Sequence, residues 1–124
     1  MPVFKYRLVF EDRGFYLYAH LTGEDSFAAS LSYWNEIADK VRELDYRKVL
    51  VHEDLMGETD EAEIFDIMMD ILPSSTGIQV AFFDENQTNA EINEFGHLIA
   101  TNRGADIRIF QSLDDARNWI EQTD

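Results

Sequence analysis

Hydrophobic and polar positions alternate at the start of the chain. Phe4, Tyr6, Leu8 and Phe10 are separated by Lys5, Arg7 and Val9, and Phe15, Leu17, Ala19 and Leu21 by Tyr16, Tyr18 and His20. A period of two sends successive side chains to opposite faces of a strand, so both segments predict half-buried strands. Glu11-Asp12-Arg13-Gly14 between them predicts a short turn whose glycine takes positive φ. Setting Phe10 opposite Phe15 aligns Leu8 with Leu17, Tyr6 with Ala19 and Phe4 with Leu21 on the core side. The other side then carries Val9 against Tyr16, Arg7 against Tyr18 and Lys5 against His20.

From residue 25 the period becomes helical. Phe27, Leu31, Trp34, Ala38 and Val41 form one stripe, widened by Ile37 and Leu44. Arg47-Lys48 leads into Val49-Leu50-Val51, an apolar run suited to a buried parallel strand. Asp60 and Glu63 have the spacing of a capping box, so a second helix is expected to start there and to end before Pro73. Gly77 to Phe83 predicts another strand. Thr88 with Glu91 predicts the cap of a third helix, which carries Ile92, Phe95, Ile99 and Ala100 and stops at Asn102-Arg103-Gly104, with Gly104 in the left-handed region. Ile107-Arg108-Ile109-Phe110 predicts the last strand. Ser112 and Asp115 then cap a final helix bearing Leu113, Ala116, Trp119 and Ile120. The order is β-β-α-β-α-β-α-β-α, an α/β layer protein of about five strands. After the antiparallel hairpin, strands alternate with helices and are expected to pair in parallel through right-handed crossovers. Linkers, repeats and low-complexity stretches are absent from the sequence, so residues 1–124 read as one domain.

Composition narrows the function. A 45% hydrophobic content supports a packed core. Apolar runs fall short of the roughly 20 residues that span a bilayer, and Met1-Pro2-Val3-Phe4-Lys5 lacks a basic-then-apolar leader pattern. The absence of cysteine excludes disulfides, thiol catalysis and cysteine-bound zinc. Twenty-five acids against ten bases give a formal charge of −15. Nucleic-acid binding and anionic membrane surfaces need the opposite sign. The expectation is a cytoplasmic acidic domain.

The element order, and above all Thr101-Asn102-Arg103-Gly104, Ile107-Arg108-Ile109-Phe110 and Ser112-Leu113-Asp114-Asp115-Ala116-Arg117-Asn118-Trp119-Ile120, resembles the STAS-like family of anti-sigma-factor antagonists in its SpoIIAA-like branch. Val49-Leu50-Val51-His52 and Ile78-Gln79-Val80-Ala81-Phe82 fall where the central strands of that family lie. The resemblance implies a largely parallel, sequentially ordered sheet with an antiparallel first strand at its edge. It also implies a bacterial regulatory module that binds protein partners. The family's phospho-switch uses a serine where the third strand meets the second helix. The corresponding loop here, Gly57, Glu58, Thr59 and Asp60 with their neighbours, has only Thr59 as a hydroxyl, between carboxylates that oppose a phosphate. A serine-type switch is therefore not expected.

Several residues are candidates for chemistry. His52 ends the third strand beside Glu53 and Asp54 and near Asp84, at the end of the sheet where parallel α/β proteins place their sites. A base at His52 oriented by a carboxylate is the enzymatic option, but no nucleophile, phosphate-binding glycine loop or dinucleotide motif accompanies it. A non-enzymatic role without cofactor is the primary expectation. The acids from Glu53 to Asp70 lack calcium-loop spacing, the three histidines match no metal motif, and His97 is expected in solvent, so no metal site is expected. The second helix has acids in an arc of about 60° and apolar residues over about 220°. Ile64, Ile67 and Ile71 suffice to pack on the sheet. Phe65, Met68, Met69 and Leu72 are left over, as a protein interface or as the wall of a site for a small apolar or lipid-like ligand. The hairpin's second face, with Lys5, Arg7, Tyr16, Tyr18 and His20, is a candidate basic-aromatic interaction patch for a protein partner or a second copy of the chain.

Overall fold

The computed structural model describes residues 4–122; the leader-free reading of Met1-Pro2-Val3 concerns positions outside that range. The strands are β1 (Tyr6–Asp12), β2 (Leu17–Glu24), β3 (Lys48–Met56), β4 (Gln79–Asp84) and β5 (Asp106–Phe110). They form one sheet in the order β1-β2-β3-β4-β5. Strand β1 is antiparallel to β2, and every later pair is parallel. The helices are α1 (Phe27–Glu43), α2 (Glu61–Ile71), α3 (Ala90–Asn102) and α4 (Leu113–Glu121). Two 3₁₀ turns, Leu72–Ser75 and Gln87–Asn89, extend α2 and precede α3. No helix among the described residues is long and apolar enough to cross a membrane.

The hairpin register differs from expectation. Phe10 pairs with Ala19, Leu8 with Leu21 and Tyr6 with Gly23, a slide of four residues that moves the bend to Arg13–Tyr16. Gly14 takes its positive φ there, at 91°. An even slide keeps every strand side chain on its face, so the core assignments of Tyr6, Leu8, Phe10, Leu17, Ala19 and Leu21 survive while each cross-strand pair changes. Phe15, expected on the core side, falls in the bend instead and is exposed. Val9 now faces His20, Glu11 faces Tyr18 and Arg7 faces Thr22.

The faces are unequally covered. On one, Leu17, Ala19, Leu21, Val49, Val51, Leu55 and Phe82 pack against Ala29, Tyr33, Ile37 and Val41 of α1, and α2 and α3 continue this layer. The stripe of α1 is centred on Tyr33 rather than Trp34. The Tyr33 hydroxyl can be buried because Ser30 and Asp25 satisfy it, at 3.1 and 3.0 Å, whereas Trp34 stays partly buried against Phe82. Among the described residues α4 is the one helix on the other face, setting Ala116 and Ile120 on Tyr16, Leu50 and Ala81. Beyond α4, Tyr18, His20 and Phe83 on that face are half-buried.

Helix ends follow local chemistry. Asp60 and Glu63 close a complete capping box on α2, Ser112 caps α4 through the Asp115 amide, and Gly104 takes φ 86° after α3. The expected Thr88 cap does not form. Asn86 instead accepts from the Thr88 amide, a 3₁₀ turn intervenes, and α3 starts at Ala90 with no side-chain hydrogen bond from Asn89 at the cap position. Removing the box with Asp60→Ala is expected to cost about 1 kcal/mol, read as a lower urea midpoint at unchanged slope.

Candidate functional site

The carboxyl ends of the strands hold two unlike clusters, one on each face. Strand alternation decides which residue joins which: His52 and Glu53 are neighbours in β3 and so point to opposite sides. The enzymatic grouping of His52 with Glu53, Asp54 and Asp84 is therefore not assembled: only Asp54, which is exposed, falls on the His52 side of β3. Glu53 and Asp84 share the face of α1, α2 and α3, and His52 lies behind them.

On the helix-covered face, Asp25 follows β2, Glu53 lies in β3 and Asp84 ends β4. Asp25 accepts from the Ser26 amide at 2.8 Å, Ser30 at 2.7 Å and Tyr33 at 3.0 Å. Burial nevertheless raises its pKa above the usual aspartate value. Glu53 is almost fully buried. Burial first, and then the like charges of Asp25 and Asp84, push its pKa far above the usual carboxylate range. Tyr33 is pushed up by burial first, and then by Glu53 and Asp25. Asp84 accepts from the Asn86 amide at 2.8 Å and from the side-chain amides of Asn89 and Asn93 at 3.1 and 2.9 Å. Asp25 and Glu53 border a cavity of about 70 Å³ roofed by Ile64, Ile67 and Met68 of α2.

The α4 face carries the second cluster. The parallel register sets His20 beside His52, with rings stacked at 4.3 Å and 21°. His52 Nδ1 lies 2.7 Å from the Tyr18 hydroxyl, and Nε2 lies 2.7 Å from a Glu85 carboxylate oxygen. The carboxylate accepts from Nε2–H, which leaves Nδ1 to accept the tyrosine proton in neutral His52. Glu85 is held in place through its amide, which donates to the Glu53 carbonyl at 2.8 Å. Arg13 covers the outer ring, its guanidinium 4.1 Å from the Tyr18 centroid. His20 is pushed below the usual histidine pKa by burial and then by His52.

The remaining candidates spread out. Of the surplus residues on α2, only Met68 borders the cavity. Phe65 is exposed beside Arg103, 5.6 Å from ring centre to guanidinium, and Met69 and Leu72 are half-buried elsewhere. In the loop before α2, Gly57 and Thr59 border the cavity and Glu58 is exposed. The hairpin patch is dispersed by the register slide. Tyr16 is buried under α4 and donates to Glu121 at 2.6 Å, Lys5 pairs with Glu24, and Arg7 lies away from Tyr18. Only Tyr18 and His20 join one cluster. His97 is not in solvent: it packs towards β5, and its Nε2–H donates to the Ile107 carbonyl at 3.1 Å. Sequence reading also missed a groove of about 640 Å³ between the start of α2 and α3. Ile92, Phe95 and Leu98 lie in it, rimmed by Glu58, Glu61, Glu91 and Glu94. Leu98, 53% exposed, was the available signal, an apolar residue on the outer side of α3.

A sequentially ordered sheet with an antiparallel edge strand, three helices on one face and one on the other is the STAS fold of anti-sigma-factor antagonists. The particular likeness is to the crystal structure of an anti-sigma factor antagonist from Mycobacterium paratuberculosis. It aligns with a TM-score of 0.61 at 10% identity, over 94% of this chain and 95% of that one. No protein-family model and no curated protein matches the sequence.

Proposed function

We propose that the chain is a cytoplasmic, non-enzymatic regulatory domain that binds a protein partner in the groove between α2 and α3. The observation that carries this reading is the pairing of an apolar floor with a carboxylate rim. Ile92, Phe95 and Leu98 offer anchoring surface, and Glu58, Glu61, Glu91 and Glu94 surround it with no lysine or arginine among the lining residues. Such a surface suits an amphipathic segment bearing basic residues. The fold supports it as an analogy, because the similar solved protein is an anti-sigma factor antagonist.

The interaction is proposed to work without a serine switch. Thr59 immediately precedes the Asp60 cap, and Asp60 and Glu63 already serve the start of α2. A phosphate there would meet like charge rather than free amide donors. A carrier of lipid-like cargo is the weaker reading. The cavity under α2, about 70 Å³, is far below the roughly 300 Å³ of a drug-sized ligand pocket.

Co-purification from the native cell tests the proposal, with Leu98→Asp and the double variant Glu91→Lys/Glu94→Lys beside the parent chain. A partner is expected on the parent and weakened at least about tenfold by either variant, with circular dichroism unchanged. A partner indifferent to both variants would refute the groove. Native mass spectrometry of the parent chain separates the alternatives: an extractable added mass would favour cargo, and a dimer lost in Leu98→Asp would make the partner a second copy.

A further inference from the structure

We propose that His20, His52 and Glu85 form a binding site for a divalent transition-metal ion of the zinc type on the sheet face that carries α4. The site is on the opposite side of the sheet from the groove and does not depend on its role.

The first support is position. A ring nitrogen from each histidine and a carboxylate oxygen of Glu85 all lie within 4.8 Å of one another. Zinc–nitrogen and zinc–oxygen bonds of about 2.0–2.2 Å place tetrahedral donors roughly 3.3 Å apart, so binding needs a modest rearrangement in which the His52–Glu85 contact, now 2.7 Å, opens and the wider separations close. Tilting the stacked rings and turning Glu85, whose side chain is 46% exposed, supplies it. The backbone is already set by the β2–β3 register and by the Glu85 amide.

The second support is a missing partner. His20 Nε2 is buried and makes no hydrogen bond among the described residues. Buried polar atoms are nearly always satisfied, so a lone one calls for an explanation, and a cation at this point provides it.

The third support is donor chemistry and its surroundings. Two neutral imidazoles and a carboxylate suit zinc and its neighbours rather than magnesium or calcium, which favour oxygen. Tyr18 already touches His52 Nδ1. When Nε2 turns to the metal, the ring proton moves to Nδ1 and donates to the tyrosine oxygen, the outer contact that orients metal-bound histidines. Phe83 stands beside His52 and limits water on that flank. Three protein donors leave a fourth position for water.

The test is calorimetric titration of Zn²⁺ into the full chain after chelator treatment, in excess Mg²⁺ to occupy surface carboxylates. One Zn²⁺ per chain is expected, together with the visible spectrum of tetrahedral Co²⁺ on substitution. His20→Ala and Glu85→Gln, both at positions that are not fully buried, are expected to weaken binding by about 100-fold or more. Tyr18→Phe is expected to weaken it about tenfold at unchanged stoichiometry. Circular dichroism and thermal melts establish that each variant folds. His52→Ala is secondary, because His52 is buried and its loss tests folding as well as binding. Absence of Zn²⁺ uptake, uptake displaced by Mg²⁺, or uptake unchanged in both His20→Ala and Glu85→Gln would overturn the site.

Discussion

Gly57→Ala is expected to destabilise the fold by about 3 kcal/mol and to loosen the loop between β3 and α2. Two costs coincide at this position. Residue 57 holds φ 117°, a conformation that strains side-chain-bearing residues by about 1–3 kcal/mol. A Cβ there would also stand 2.7 Å from the Asp25 carbonyl oxygen and 3.4 Å from the Asp25 nitrogen. Those atoms cannot swing aside as a side chain would, because the Asp25 amide donates to the Met56 carbonyl at 2.7 Å. Pushing them away disturbs the Asp25 carboxyl and its bonds to Ser30 and Tyr33. Gly104→Ala is the control: its φ is 86°, but nothing lies within 4 Å of the added carbon, so it carries only the conformational cost. Urea unfolding of both variants decides the matter. Equal midpoints for the two would show that the contact with Asp25 carries no weight.

The sequence made the element order legible because helical stripes of period 3.6 alternate with segments of period two in the hairpin and with short apolar runs in the later strands. It made the second helix's cap legible because Asp60 and Glu63 satisfy each other locally. Relations across space were less visible. The hairpin register could slide by four residues because two strands of alternating character remain compatible after any even shift, and a bend of the same four-residue length, moved to Arg13–Tyr16, serves the observed register equally well. The histidine pair depends on the register of β2 against β3 across the whole of α1, which no local pattern encodes. Adjacent residues of a strand cannot share a face, so Glu53, among the carboxylates considered, is on the wrong side to orient His52. The carboxylate that reaches it is Glu85, one residue beyond Asp84 and thus on the other side. The role of Tyr33 escaped because an interior tyrosine looks like any aromatic in a helical stripe until its hydroxyl partners are known.

Glu53→Gln is expected to stabilise the protein at pH 8 by about 1–3 kcal/mol, the desolvation cost of a buried polar group, and to have little effect at pH 4. Burial, with Asp25 and Asp84 nearby, raises the folded-state pKa of Glu53 well above its unfolded value. Between those values the native chain keeps a proton that the unfolded chain has released. The native state therefore binds more protons, and stability falls as pH rises. The contribution is fully present below the unfolded pKa, about 4.3, and is lost as pH rises through the folded one. Asp25, also raised by burial, acts in the same direction. Glutamine has nearly the same shape, leaves the small cavity intact and offers amide hydrogens to the acids that face it, so the loss disappears. Chemical denaturation of both chains from pH 4 to 8 checks this. The self-repulsion implied by a charge of −15 affects both chains almost equally and cancels in their difference. Parallel curves would sink the claim; curves that diverge upward in pH would locate a reserve of instability at Glu53. That residue lies beside the cavity under α2 and near the loop of Gly57 and Thr59, next to the surface proposed to receive a partner. A site that trades stability for function is expected in such a place, and the variant that gains stability is the one in which partner binding should be measured next.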